Sequence, residues 1–158
     1  LPTLKRQALV HGHCHHKSVL EMGSDLKLLG RLWLEYRELD SGCCGMAGAF
    51  GFESNHHDVA EKVGERVLLP AVRSAPIDSL IVADGFSCRE QIAQDTDRQA
   101  LHLAQVIQMA LREGPGGARG GAAERGYVEK PAGTLIPAIG LAAAGVAVSV
   151  ATAWRRRR

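Results

Sequence analysis

Aromatic residues are scarce in this chain, with two tryptophans, two tyrosines and three phenylalanines among 158 residues. A protein that binds nucleic acid stacks bases on aromatic faces along a basic groove, and that combination is missing. The formal charge of +2 falls to −2 once the four arginines Arg155 to Arg158 are set aside, so no basic stripe crosses the body. A nucleic-acid partner is therefore not expected. The first residues, LPTLKRQALV, carry no secretory signal, because their apolar run is too short for an h-region. The expected compartment is a reducing cytoplasm. Two further motifs are lacking: the C-x2-C-x2-C-x3-C-P spacing of ferredoxins, and the lysine that would make the glycine run a phosphate-binding loop.

Four cysteines are present: Cys14, Cys43, Cys44 and Cys88. In a short secreted chain an even number reads as two disulfides. In a reducing compartment thiols persist instead as metal ligands or redox groups, and a shared metal or cluster site is the expectation here. Cys43 and Cys44 sit inside DSGCCGMAGAFGFE, from Asp40 to Glu53, where glycine recurs at Gly42, Gly45, Gly48 and Gly51. Neighbours on a strand point to opposite faces. Both sulfurs can reach one centre only if the backbone leaves the strand conformation, which glycine permits at no steric cost.

Residues 1–112 read as one globular body. Gln7 to Gly12 and Ser79 to Asp84 have the apolar character of buried strands, and Glu35 to Asp40 is a shorter candidate. Helical patterns lie between them: one before Trp33, one from about Leu101 to Arg112, and one through NHHDVAEKVGERVLLPAVRSA. In the last of these Asn55 is available as cap and Val59, Val63, Val67 and Val72 recur near the helical period. The alternation predicts an α/β fold, a small parallel or mixed sheet with helices on its faces. Cys14, the Cys43–Cys44 pair and Cys88 each follow a predicted strand, so the metal or cluster site is expected at the C-terminal strand edge, where open α/β sheets bind ligands.

Beyond Arg112 the composition changes. Residues 113–130, with EGPGGARGGAAERG, read as a glycine-rich linker. Residues 131–158 form an apolar tail, uncharged from Pro131 to Trp154 and closed by Arg155 to Arg158. Its length would span a bilayer. Its alanine, glycine and valine content and its terminal arginines favour a helix lying at the inner face of a membrane or packing on a partner.

Together with HGHCHHKSV and ADGFSCREQI, the double-cysteine word resembles the cysteine-rich CCG domain found in the iron-sulfur subunit of glycolate oxidase, in heterodisulfide reductase and in fused FAD-binding and iron-sulfur-binding D-2-hydroxyacid dehydrogenases, the last being most similar. The likeness runs from about Ala8 to Leu111. It implies that Cys14, Cys43, Cys44 and Cys88 bind an iron-sulfur cluster, 4Fe-4S in type, or zinc. The first cysteine of the family's closing C-x-x-C is replaced by Gly85, which excludes a fifth thiolate, although four suffice for either group. It further implies FAD in a parent protein or partner subunit, the flavin and iron-sulfur portion of a lactate- or glycolate-type dehydrogenase as partner, a second CCG domain, and no turnover by this chain alone. Two rivals stay open: a zinc-held structural or docking domain, and a metal-free redox dithiol.

Among the histidines around Cys14, His13 is the functional candidate and is placed with the metal ligands, because it directly precedes the cysteine. His11, His15 and His16 read as locally hydrogen-bonded or solvent-facing, His56 and His57 as surface residues, and His102 as a packing or capping residue. Phe50 and Phe52 are expected to shield the site from water. Arg89 and Glu90 read as a charge pair at a helix start.

Overall fold

A computed structural model describes residues 2–116 and 121–128. Its centre is a three-stranded, all-parallel sheet in the order β2-β1-β3. The strands are β1 (Gln7–His11), β2 (Glu35–Glu38) and β3 (Leu80–Ala83). Gln7 pairs with Glu35 on one side of β1, and Ala8 pairs with Leu80 on the other. A bridge from Val82 to Leu101 adds one further parallel contact beyond β3.

Alternation along the strands builds two apolar layers. Ala8, Val10, Leu80 and Val82 face a core completed by Leu29 of α2 (Gly23–Arg31) and by Val106 and Met109 of α6 (Leu103–Glu113). Leu9, Ile81 and Ala83 face the other way, toward Leu68 and Val72 of α4 (Leu68–Ser74) and Ile92 of α5 (Phe86–Asp95). Cys44 and Cys88 are members of this second core. The expected fold class is thus observed, with the sheet wholly parallel.

Several local expectations differ from what forms. The valine-rich segment is two helices, α3 (His57–Gly64) and α4, broken at Glu65 to Val67. Its N-cap is His56 rather than Asn55, with no side-chain cap bond. The break rotates the pattern, so Val59 and Val67 are exposed while Ala60, Leu68, Leu69 and Val72 are buried. The small residues of α3 face inward because the cysteine loop packs against them. A short helix, α1 (Cys14–Val19), follows β1 directly, a step the periodicity does not announce.

The globular body also reaches further than composition suggests. Within the stretch read as linker, Ala122, Ala123 and Glu124 are buried. Glu124 is fully buried and accepts from Arg98 Nε at 2.6 Å. The Arg98 guanidinium also donates to the backbone oxygens of Pro76 and Ser79, which ties this segment to the start of β3. The apolar tail, residues 131–158, lies outside the described residues.

Candidate metal centre

The parallel sheet gives three strand ends one common edge, and each delivers sulfur there by a different local device. After β1, the chain passes through Gly12 and His13 into α1, whose first residue is Cys14. After β2, the loop carries Cys43 and Cys44. After β3, Asp84 and Gly85 lead into the first turn of α5, where Cys88 is buried. The α5 start is fastened to the strand by Arg89, which donates to the backbone oxygens of Ala83 and Asp84. Arg89 is therefore a staple for the turn that presents Cys88.

The glycine loop is shaped by close approach as much as by backbone angle. Gly45 has φ +100, and a Cβ built there would lie 2.0 Å from the carbonyl oxygen of Ala60 in α3. A Cβ on Gly64 would likewise press on the carbonyl of Cys44 at 3.0 Å. Ala60 and Gly64 form the flat face on which the double-cysteine turn rests. Within the turn the Gly45 N–H donates to Cys43 Sγ at 3.4 Å.

All four thiols are free and act on one another. The Cys88 thiol donates toward Cys44 and is the largest influence holding Cys44 below its ordinary pKa, with His11 and the backbone N–H groups of Met46 and Ala47 adding to it against the opposing cost of burial. Cys88 is correspondingly pushed up by Cys44, by burial, and by the charges of Cys14 and Cys43. Burial raises Cys43, and the neighbouring Cys44 and Cys14 raise it further. Mutual repulsion of this kind marks thiols gathered close together, with Cys44 and Cys88 inside and Cys14 at the exposed rim.

Two features bear on whether this set suits a metal or cluster. A Cβ on Gly85 would sit 2.5 Å from His13 Cδ2 and 2.9 Å from Cys88 Sγ. The His13 ring therefore fills the space beside Cys88 that a side chain at residue 85 would need, and Gly85 is a steric complement to His13. The second is the orphaned Nε2 of His11, a residue only 2 % exposed, which has no partner of standard hydrogen-bond geometry. Free thiols, an imidazole against Cys88 and an unspent buried nitrogen are a donor set that fits a thiophilic centre.

The remaining histidines divide as their surroundings dictate. His16 pairs with Asp25 at 3.1 Å. These two and Asp84 bring their ligand atoms within 4.8 Å of one another, the one such group among the described residues. Asp84 there also accepts the Leu103 N–H at 2.7 Å, which anchors α6. His56 pairs with Glu53 and stacks on Phe50 at 4.3 Å, and Phe52 is more than half exposed. Phe52 therefore faces solvent, whereas Met46, 1 % exposed, packs in the same core as Cys44 and Cys88. His102 caps α6 in a reciprocal box with Gln105. His11, expected to be locally hydrogen-bonded or solvent-facing, is instead buried and bonded to Ser41 thirty residues away; its place at the end of a buried strand, one residue before a glycine, is the local sign of that burial.

Comparison with known proteins gives relatives for this region. The chain is 29 % identical over 112 residues to one of the subunits of anaerobic glycerol-3-phosphate dehydrogenase of Escherichia coli K12, covering 70 % of this chain and 28 % of that one. It is 29 % identical over 103 residues to D-2-hydroxyglutarate dehydrogenase of Pseudomonas putida, covering 63 % of this chain and 10 % of that one. The Escherichia coli K12 protein of the latter name is 27 % identical over 99 residues, covering 61 % of this chain and 10 % of that one. These relatives are dehydrogenases or parts of them. This chain spans about a quarter of the first and a tenth of the others. No family profile and no solved structure matches it.

Proposed function

We propose that this chain is the iron-sulfur electron-transfer module of a D-2-hydroxyacid dehydrogenase, a CCG-type domain in which Cys14, Cys43, Cys44 and Cys88 hold a 4Fe-4S cluster beside His13. The observation that carries the reading is the gathering of four free thiols from three parallel strand ends, the inner pair within the core. The kinship to portions of two dehydrogenases supports it. When bound, such a cluster would store and release single electrons. The chain's own contribution is to hold it with thiolates, exclude water from the Cys44 and Cys88 side with Met46 and Ile92, and leave Cys14 at the surface, where a partner can approach. FAD and the hydroxyacid site belong to another portion of the enzyme, together with any second domain of this type, so this chain alone turns nothing over.

A zinc-held docking domain is the second reading, since four thiolates hold one zinc as readily as a four-iron cluster. Anaerobic purification followed by metal analysis and a visible spectrum tests this. The expected protein is brown, with iron and sulfide. A colourless protein with stoichiometric zinc overturns the electron-transfer reading.

The location is proposed as cytoplasmic, with the tail attached at the inner face of the membrane through its apolar stretch and Arg155 to Arg158. No helix among the described residues is long and apolar enough to cross a membrane. In cell fractionation the full chain should sediment with membranes and a version ending at Val128 should not; equal solubility of both overturns the attachment.

A further inference from the structure

The alternation of β1 places His11 on the same face of the sheet as Leu9, and its register partner is Ala83 of β3. That face carries Cys44 and Cys88. The imidazole is thus built into the layer beneath the sulfurs, with 2 % of its surface exposed. Its Nδ1 lies 2.6 Å from the hydroxyl of Ser41, itself buried in the loop that leads to the double cysteine. Its Nε2 has no hydrogen-bond partner, and the face of the sheet on which it lies is the one that carries Cys44, three residues beyond Ser41. A buried ring nitrogen without a partner is costly. It is retained at little loss only if a sulfur in the finished site accepts from it.

The two ring nitrogens must then divide their roles. A donor at Nε2 leaves Nδ1 as acceptor, so the Ser41 hydroxyl donates to Nδ1 and fixes the tautomer. Ser41 thereby leaves the proton on Nε2, within the layer that carries the sulfurs. Hydrogen bonds to ligand sulfurs withdraw charge from a cluster and raise its reduction potential.

Resting on the iron-sulfur reading above, we propose that His11, oriented by Ser41, is a positioning residue that donates from Nε2 to the Cys44 sulfur and sets the potential of the centre without being one of its ligands. His13 lies near Cys88, both being within 3 Å of a Cβ built on Gly85. Only His11 has its orientation fixed by a second side chain.

The test compares wild-type protein, Ser41→Ala, His11→Gln and His11→Phe, all as full chains reconstituted anaerobically with iron and sulfide. Iron content, the visible spectrum and a redox titration followed by electron paramagnetic resonance are measured on each. All four should hold the same iron per chain. The potential should fall in Ser41→Ala and most in His11→Phe, while His11→Gln, whose amide N–H stands near the place of Nε2, stays closer to wild type. Ser41→Ala removes a single atom, so it decides the matter even if His11→Phe does not fold. Unchanged potentials across folded, loaded variants overturn the assignment and leave the iron-sulfur reading standing. Loss of iron in folded His11→Gln also overturns it, because it makes His11 a ligand. Wild-type protein that takes up only zinc overturns both.

Discussion

Gly85 and His13 can be tested as a pair. Gly85 has φ −65 and ψ 127, angles open to any residue, so only space demands glycine there. With the ring of His13 at 2.5 Å from a built Cβ, Gly85→Ala should cost about 1–3 kcal/mol through overpacking. In a His13→Ala background the cost should fall by the ring's share, the 2.9 Å approach to Cys88 Sγ remaining. Urea midpoints of the two single variants and the double variant measure the coupling. Additive effects would show that the ring does not occupy the space. Cys44→Ser should abolish metal retention and lower the melting temperature, since binding of the metal is also folding energy. Normal metal content in this variant removes Cys44 from the site. Arg98 is a third residue-scale case. Its guanidinium is buried against Glu124, and removing one partner of a buried pair leaves the other uncompensated, so Arg98→Met should cost about 3–5 kcal/mol by denaturant unfolding.

Among the elements, the contact between the cysteine turn and α3 is the one on which the site depends. Gly45 is strained for any other residue by its φ of +100, and a side chain would also strike the Ala60 carbonyl. Gly45→Val should therefore lose metal almost as completely as a cysteine variant, with α3 displaced or frayed. Iron analysis with far-ultraviolet circular dichroism checks both, and retained iron would show that the turn does not rest on α3 as described. The break between α3 and α4 has the same origin. A continuous helix would put Val59, Val63 and Val67 on one face; the loop's need for the flat surface of Ala60 and Gly64 instead turns that face outward.

For the molecule as a whole, the segment at 121–128 is a structural part of the domain. A chain ending at Arg112 would leave Arg98 buried without Glu124 and expose the core behind Ala123, Tyr127 and Val128. It should melt well below a chain ending at Val128, as scanning calorimetry would record, and equal melting would mean that the segment contributes nothing. The parallel sheet has a matching consequence. Because β1, β2 and β3 run the same way, each hands its following loop to one edge, and cysteines from three distant parts of the sequence meet there.

Legible in the sequence alone were the three strands, the alternation that makes the fold α/β, and the placing of each cysteine just after a strand, because apolar runs, cysteine position and glycine recurrence are local signals. Gly45 was legible as a required glycine for the same reason. The contacts between segments distant in the chain were not legible there, because they arise only once the fold brings those segments together. Gly85 has no room for a side chain because of a ring at residue 13 and a sulfur at residue 88, α3 turns its small residues inward because of a loop at residue 45, and a glycine-rich stretch is held down by an arginine at 98. The orphaned nitrogen of His11 belongs to this second class. Its meaning lies in the burial of the strand end and in Ser41 thirty residues away, and composition and periodicity carry no record of either.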